Sequence, residues 1–186
     1  MPAYNLDQSY TTGQDNADGS GIGNLRRAAN NNTKVAQSFT PTLLGPTNRI
    51  ELYMKKVGSP TGNIAVEIRA DGADPSSATL YATSSNVDVS TVSTSYVYQA
   101  FDFSSPPTLT PGVKYWAILT GTYTEANDVG VYVGIDTTSP SYSGGNYGRY
   151  GNGSPAWEDV STYDMLFKQY SDNALTSGGS FLLNFV

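Results

Sequence analysis

Two stretches of strict alternation, separated by a short glycine- and proline-containing segment, most constrain the fold of this chain. Their apolar members are Ile50, Leu52 and Met54, then Ile64, Val66 and Ile68. Side chains on a β-strand point alternately to opposite faces, so each stretch would bury one face and expose the other. Residues 58–62 between them supply the glycines and proline of a tight chain reversal. The sequence therefore predicts an antiparallel β-hairpin at residues 49–70.

The same alternation recurs along the chain, at roughly ten-residue spacing. Further strands are predicted at residues 34–39, 80–89, 96–103, 113–120, 129–135 and 165–170. Three prolines in residues 104–111 mark a crossing between sheets, because proline cannot donate to a strand ladder. No segment shows a helical period. The pattern predicts an all-β, two-sheet antiparallel β-sandwich (jelly roll) over residues 34–170.

The composition of the chain excludes several classes of function. The chain has 16 acidic and 10 basic residues, a net charge of −6, and neither cysteine nor histidine. A nucleic-acid partner would require a basic face, so none is expected. Disulfides, Cys/His metal sites and catalytic triads that use His or Cys are excluded, and no cofactor is predicted. We expect no signal peptide and no membrane-spanning segment.

The predicted domain is flanked by an N-terminal arm, residues 1–33, and by a linker and apolar C-terminal strand, residues 171–186. The arm is polar, and it fits either a disordered leader or an extended segment that orders against a partner or a neighbouring subunit. The C-terminal strand is apolar on both faces and should be buried, in its own sandwich or in a neighbour. The candidate assembly residues are Leu6, Ile22, Leu25, Phe181, Leu183 and Phe185.

Acidic residues group at two places. The cluster Asp15, Asn16, Asp18 and Gly19 resembles half of a calcium loop but lacks the ligand spacing and closing Glu of an EF-hand, so no metal site is predicted. Glu158, Asp159 and Asp164 are the clustered carboxylates that a glycosidase would need. Turn and surface roles explain them better, and we predict that the protein is not an enzyme.

The glycine- and tyrosine-rich segment 139–157 is the candidate ligand surface. Aromatic rings can stack on a sugar ring while flanking polar groups bond its hydroxyls; the alternative is that these aromatic side chains cover the open end of the sandwich. The candidate glycan-binding residues are Tyr142, Tyr147, Arg149, Tyr150 and Trp157.

Several segments together resemble a bacterial and phage β-sandwich module, the choice-of-anchor R type. They are Val35-Ala36-Gln37-Ser38-Phe39, residues 61–68, Leu80-Tyr81-Ala82-Thr83-Ser84, Phe101-Asp102-Phe103, residues 109–116, Trp157 and Phe167-Lys168-Gln169-Tyr170. The resemblance covers about three-quarters of the chain. It implies a non-catalytic jelly roll of the kind found on bacterial surface proteins and in phage virions, and no residue-level activity.

These observations favour a non-enzymatic structural protein of a phage particle, either a capsid decoration or a tail or fibre component. Its partners would be other virion proteins and copies of itself, with a cell-surface glycan as a further ligand of the exposed surface. It would be made in the host cytoplasm and reside in the virion. The alternative is a carbohydrate-binding or adhesive module of a bacterial cell-surface system, located outside the cell.

Overall fold

The computed structural model describes residues 4–16, 33–123, 129–151 and 156–172, and the backbone of residues 24–25. One sheet, sheet A, contains β1 (Tyr4–Tyr10), β2 (Asn24–Leu25), β4 (Thr47–Val57), β8 (Val97–Asp102), β10 (Gly130–Val133) and β15 (Phe167–Asp172). Sheet B contains β3 (Lys34–Phe39), β5 (Gly62–Ala70), β6 (Leu80–Thr83), β7 (Val87–Asp88), β9 (Tyr115–Tyr123), β12 (Tyr147–Tyr150) and β13 (Trp157–Val160). Two short strands, β11 (Ile135–Asp136) and β14 (Asp164–Met165), pair with each other, and Val89–Thr91 forms a single 3-10 turn.

The predicted all-β antiparallel sandwich is confirmed. The two sheets pack face to face, and their inward side chains meet; the Phe39 ring on sheet B lies 6.3 Å from the Phe167 ring on sheet A. The inward residues of the predicted alternation, from Ile50 to Met54 and from Ile64 to Ile68, are all 0% exposed. Burial of these rows on both sheets supplies the main stabilisation, at about 25 cal/mol per Å² of apolar surface.

The pairing of the first two predicted strands differs from a hairpin. β4 pairs with β8, β10 and β15 in sheet A, whereas β5 pairs with β6, β7 and β9 in sheet B. Residues 58–61 therefore carry the chain from one sheet to the other. The hairpin prediction was wrong because alternation reveals which face of a strand is buried and gives no information about its hydrogen-bonded neighbour.

Residues 4–16 belong to the sandwich, whereas the sequence predicted a separate arm over residues 1–33. β1 pairs with β15 as the edge strand of sheet A, and the Tyr10 side chain is 8% exposed in the main core. The buried amide of Asn16 donates to the Val133 carbonyl at 3.0 Å, and its oxygen accepts from the Ile135 amide at 2.8 Å. These partners lie more than a hundred residues away, so the local polar composition of the segment concealed them.

A glycine permits this packing. Gly13 has φ +88°, and a Cβ built there would lie 2.1 Å from Oδ2 of Asp136. Any other residue would be strained by the backbone angle and would also displace the carboxylate. The rest of the predicted arm, except the backbone of residues 24–25, and the apolar C-terminal strand lie outside the described residues. With them lie Ile22, Phe181, Leu183, Phe185 and the side chain of Leu25.

No helix in the described part of the chain is long and apolar enough to cross a membrane.

Candidate binding surfaces

The five predicted glycan-binding residues do not form one surface. Tyr147 is 0% exposed and lies in the main core, because β12 pairs with both β3 and β13 and its side chain points inward. Its ring therefore offers no face to a ligand, which corrects its assignment as a binding residue. Burial also raises the pKa of its hydroxyl far above the ordinary value. Glycine-rich neighbours made this strand resemble an open loop.

Tyr142 also packs inward. Its ring makes an edge contact with Phe167 at 5.2 Å, and its hydroxyl donates to Oε1 of Gln8 at 2.9 Å. Desolvation by burial raises the pKa of this hydroxyl well above its usual range. Tyr142 thus connects the segment before β12 to β1 and to the core, a structural role that its sequence context did not reveal.

The remaining three candidates lie on the β12–β13 ladder. Arg149 donates to Glu158 at 2.7 Å from the neighbouring strand. The side chains of Tyr150 and Trp157 occur at paired positions of this ladder, and the Lys34 ammonium lies 5.8 Å from the Tyr150 ring centroid. Glycan binding at Arg149, Tyr150 and Trp157 stays a prediction.

Trp116 and Trp157 form a small cluster on the outer face of sheet B. Trp116 is 1% exposed, but it packs with Ala36 and Ile118, outside the main core between the sheets. Trp157 meets it edge to face at 5.0 Å between ring centroids, and the Trp116 indole donates to Asp71 at 2.8 Å. Trp116 is therefore buried, and the Trp157 ring covers part of it.

Gly148 makes the tryptophan contact possible. A Cβ at this position would lie 2.5 Å from one indole carbon of Trp157 and 2.7 Å from one of Trp116. A side chain at position 148 would therefore displace the Trp157 ring from Trp116.

The clustered acids near Trp157 have separate partners. Glu158 binds Arg149, Asp159 accepts from the Asn146 amide, and Asp164 accepts from the Tyr142 backbone amide at 2.9 Å. The arrangement supports structural roles for the three side chains. In the described residues, no group of three or more His, Cys, Asp or Glu side chains could hold a metal ion.

A pair of buried carboxylates was missed by sequence reasoning. Asp136 on β11 lies directly opposite Asp164 on β14, and both are 3% exposed. Asp136 accepts from the Tyr10 hydroxyl at 2.5 Å and from the backbone amides of Thr138 and Ser139 at 3.1 and 2.9 Å. Both carboxylates therefore anchor the loop after β11. The 27 residues between them gave no indication that they would meet.

Burial raises the pKa of Asp164 and of the neighbouring Tyr10 hydroxyl. Desolvation, with a contribution from the Asp136 charge, raises the pKa of Asp164, while hydrogen bonds from Tyr142 and Gln37 oppose that rise. Burial, followed by the hydrogen bond to Asp136, also raises the pKa of Tyr10. Because water is excluded and the bonds are satisfied, these groups stabilise the fold and are not presented to a ligand.

The outer face of sheet A carries a continuous aromatic and charged surface, which we name the tyrosine face. Its aromatic and apolar members are Tyr4, Leu6, Tyr53, Tyr96, Tyr98 and Tyr170. Its charged members are Arg49, Glu51, Lys55, Asp102 and Lys168. Leu6, one of the predicted assembly residues, is 51% exposed at its edge, beside Tyr170 in the β1–β15 ladder.

Aromatic rings and cations alternate on the tyrosine face. The Tyr53 ring lies 5.4 Å from Tyr96, nearly parallel to it, and 5.1 Å from Tyr98. Lys168 lies 3.9 Å from the Tyr98 ring centroid, and Lys55 lies 4.8 Å from that of Tyr96. Such cation–π contacts contribute about 0.5–1 kcal/mol each at exposed sites.

The carboxylates of the tyrosine face balance its cations. Arg49 donates to Asp102 at 2.7 Å, Lys168 lies 3.6 Å from Glu51, and the Tyr170 hydroxyl donates to Glu51 at 3.2 Å. The Tyr98 hydroxyl is buried and has no hydrogen-bond partner among the described residues. Burial first, then its neighbours' charges, raises the pKa of Tyr98 to about 12. The face thus combines large flat rings with ion pairs of both signs.

The outer face of sheet B carries a concave surface, which we name the polar groove. It has a volume of about 280 Å³ and is lined by Asn63, Ala65, Thr83, Asn86, Thr120 and Thr122, together with Ile64 and Gly121. The tyrosine face and the polar groove lie on opposite outer faces of the sandwich. Neither surface was predicted from the sequence. The signal available was the set of outward-facing residues in each alternating strand.

Comparison with known proteins gives no relative: no family model, no curated protein and no solved structure matches this chain.

Proposed function

We propose that this chain is a non-enzymatic structural protein of a phage particle, a capsid decoration or a tail or fibre component, whose copies associate through the tyrosine face. The observation that carries the proposal is the composition of that face: six tyrosine and leucine side chains are interleaved with three cations and two carboxylates on four adjacent strands and at the residue before β8. Tyrosine and arginine are enriched at protein interfaces, where large rigid rings contribute contact area at little entropic cost.

The charge distribution favours a second copy of the chain as the partner. The face presents Arg49 and Lys168 beside Glu51 and Asp102, so it is complementary in sign to itself. A two-fold interface uses the same patch on both subunits and can set each cation against a carboxylate of the other copy. The exposed Leu6 at the rim would gain burial in the same contact.

The phage setting rests on the resemblance to virion and surface β-sandwich modules and on the assembly residues predicted in both termini. The non-enzymatic assignment is supported by the acidic side chains near Trp157, each of which already holds a structural partner. The alternative, a carbohydrate-binding or adhesive module, is favoured by one specific observation, the polar groove on the opposite face.

The test is the oligomeric state of the full chain by size-exclusion chromatography with light scattering. Leu6→Asp places a charge in the proposed contact and should weaken association at least about tenfold, a free-energy change of about 1.4 kcal/mol. Leu80→Asp is the matched control, because Leu80 is a 46% exposed strand leucine on sheet B. A wild-type monomer, or equal effects of the two substitutions, would contradict the proposal.

A further inference from the structure

The polar groove forms where the edge of sheet B is interrupted. β5 pairs with β6 through residues 67–69 and with β7 through residues 63–64. Between them the chain bulges, and the buried Ser84 bonds the backbone of Val66 in both directions, at 2.9 and 3.0 Å. This break leaves a depression bordered by β9 on one side and by Thr83 and Asn86 on the other.

Small side chains give the groove its depth. Ala65 on β5 lies opposite Thr120 on β9, and Asn63 lies opposite Thr122. All four point away from the main core, because Ile64 and Val66 point into it. The methyl group of Ala65 therefore forms an apolar floor, and the amide and hydroxyl groups stand at the walls.

The polar side chains of the groove have no hydrogen-bond partner among the described residues. The side chains of Asn63, Thr83, Asn86, Thr120 and Thr122 make no hydrogen bond to any part of the chain that the structure describes. The buried amides of the described residues are bonded; Asn16, for example, bonds the backbone of both β10 and β11. Each free asparagine offers two donors and an acceptor, and each threonine a donor and acceptor lone pairs.

The groove is also uncharged. Among the described residues, no acidic or basic side chain lines it, and the neighbouring Glu67 on β5 is bound to Arg69 at 2.7 Å. A neutral ligand rich in hydroxyl groups matches such a lining, whereas a phosphate, a carboxylate or an amine would lose hydration without gaining an opposite charge. Ring hydroxyls of a sugar can both donate and accept, as the threonine and asparagine side chains can.

We propose that the polar groove is a binding site for a neutral carbohydrate, with one pyranose unit bonded by Asn63, Asn86 and Thr120 over the Ala65 methyl group. This proposal does not depend on association through the tyrosine face. A small, shallow site gives weak monovalent binding, with a dissociation constant on the order of 1 mM, and several copies in one assembly would raise the avidity.

The test is a titration of the isotope-labelled full chain with neutral pyranose monosaccharides and disaccharides, followed by two-dimensional amide NMR. We expect saturable shift changes for at least one sugar, concentrated at residues 63–65, 83–86 and 120–122. No shift change with any neutral sugar would overturn the proposal. Changes confined to Tyr150 and Trp157 would also overturn it, in favour of the β12–β13 ladder.

Two substitutions give the test its specificity. Thr120→Val keeps the side-chain shape and removes the hydroxyl, and Asn86→Ala removes the amide; each should weaken sugar binding about tenfold or more. Thr94→Val and Asn5→Ala are matched controls at exposed positions outside the groove and should bind as the wild type does. Equal binding by groove and control variants would refute the site, and amide spectra report directly that each variant is folded. Light scattering on the same samples tests association separately.

Discussion

The attachment of the N-terminal strand to the sandwich can be tested by removing a single oxygen atom, that of the Tyr10 hydroxyl. Tyr10→Phe removes the hydroxyl that donates to Asp136 at 2.5 Å and leaves the ring in place. Because the ring stays packed, no cavity forms, and the effect isolates the hydrogen bond to a buried carboxylate. We expect the variant to fold and to be less stable than the wild type.

The magnitude follows from the partners of Asp136. A hydrogen bond to a charged group contributes about 1.5–3 kcal/mol, and the carboxylate keeps the backbone amides of Thr138 and Ser139. The free energy of unfolding should therefore fall by about 1.5–3 kcal/mol. For a chain of this size each kcal/mol lowers Tm by about 2–4 °C, which gives a decrease of about 3–12 °C.

The assay is urea denaturation followed by tryptophan fluorescence, with calorimetry for Tm. Tyr142→Phe is the matched control, because its hydroxyl donates to the neutral side chain of Gln8 at 2.9 Å and should contribute only about 0.5–1.5 kcal/mol. If Tyr10→Phe is no more destabilising than Tyr142→Phe, residues 4–16 are not anchored through the buried carboxylate.

Three further predictions follow from the packing. Trp116→Ala should lower the free energy of unfolding, measured by denaturant titration, by about 3–5 kcal/mol. Trp157→Ala should lower it by clearly less, since the Trp157 ring is only partly buried. Equal losses for the two variants would contradict the packing of the cluster. Gly13→Ala should lower the free energy of unfolding more than Gly112→Ala does in the same assay, because both glycines have positive φ but only Gly13 also faces a carboxylate. Equal losses would contradict the close approach of Asp136 to Gly13. The raised pKa of Asp164 means that its protonation favours the folded state, so stability from this group should increase as pH falls through its folded pKa towards the unfolded value near 3.8. Asp164→Asn should abolish that increase in pH-dependent melting curves, and an unchanged pH profile would refute it.

The sequence was sufficient for the strands with a clear period of two and for their buried faces, and it did not reveal β1, β12 or β13. Ile50, Leu52 and Met54 were predicted to face a core by their period of two, and they do. Alternation could not reveal strand neighbours, so β4 and β5 were joined in a hairpin although they lie in opposite sheets. Pairing depends on contacts between distant segments, and a single sequence does not display them.

The errors at individual sites have the same origin. Trp116 lies in a run that is apolar on both faces, and such a run does not by itself distinguish the main core from the outer face of sheet B. Tyr147 stands among glycines, which suggested a loop, but backbone pairing with β3 fixes it inward. The tyrosine face draws Tyr53, Tyr98 and Tyr170 from three strands, and only their register brings them together.

The most direct test of the proposed assembly is electron cryomicroscopy of the purified full chain. We predict a closed symmetric oligomer in which the outer face of sheet A, with Tyr53 and Tyr98, is covered by a second copy. A particle in which the copies meet through another surface and the tyrosine face remains open to solvent would contradict the account.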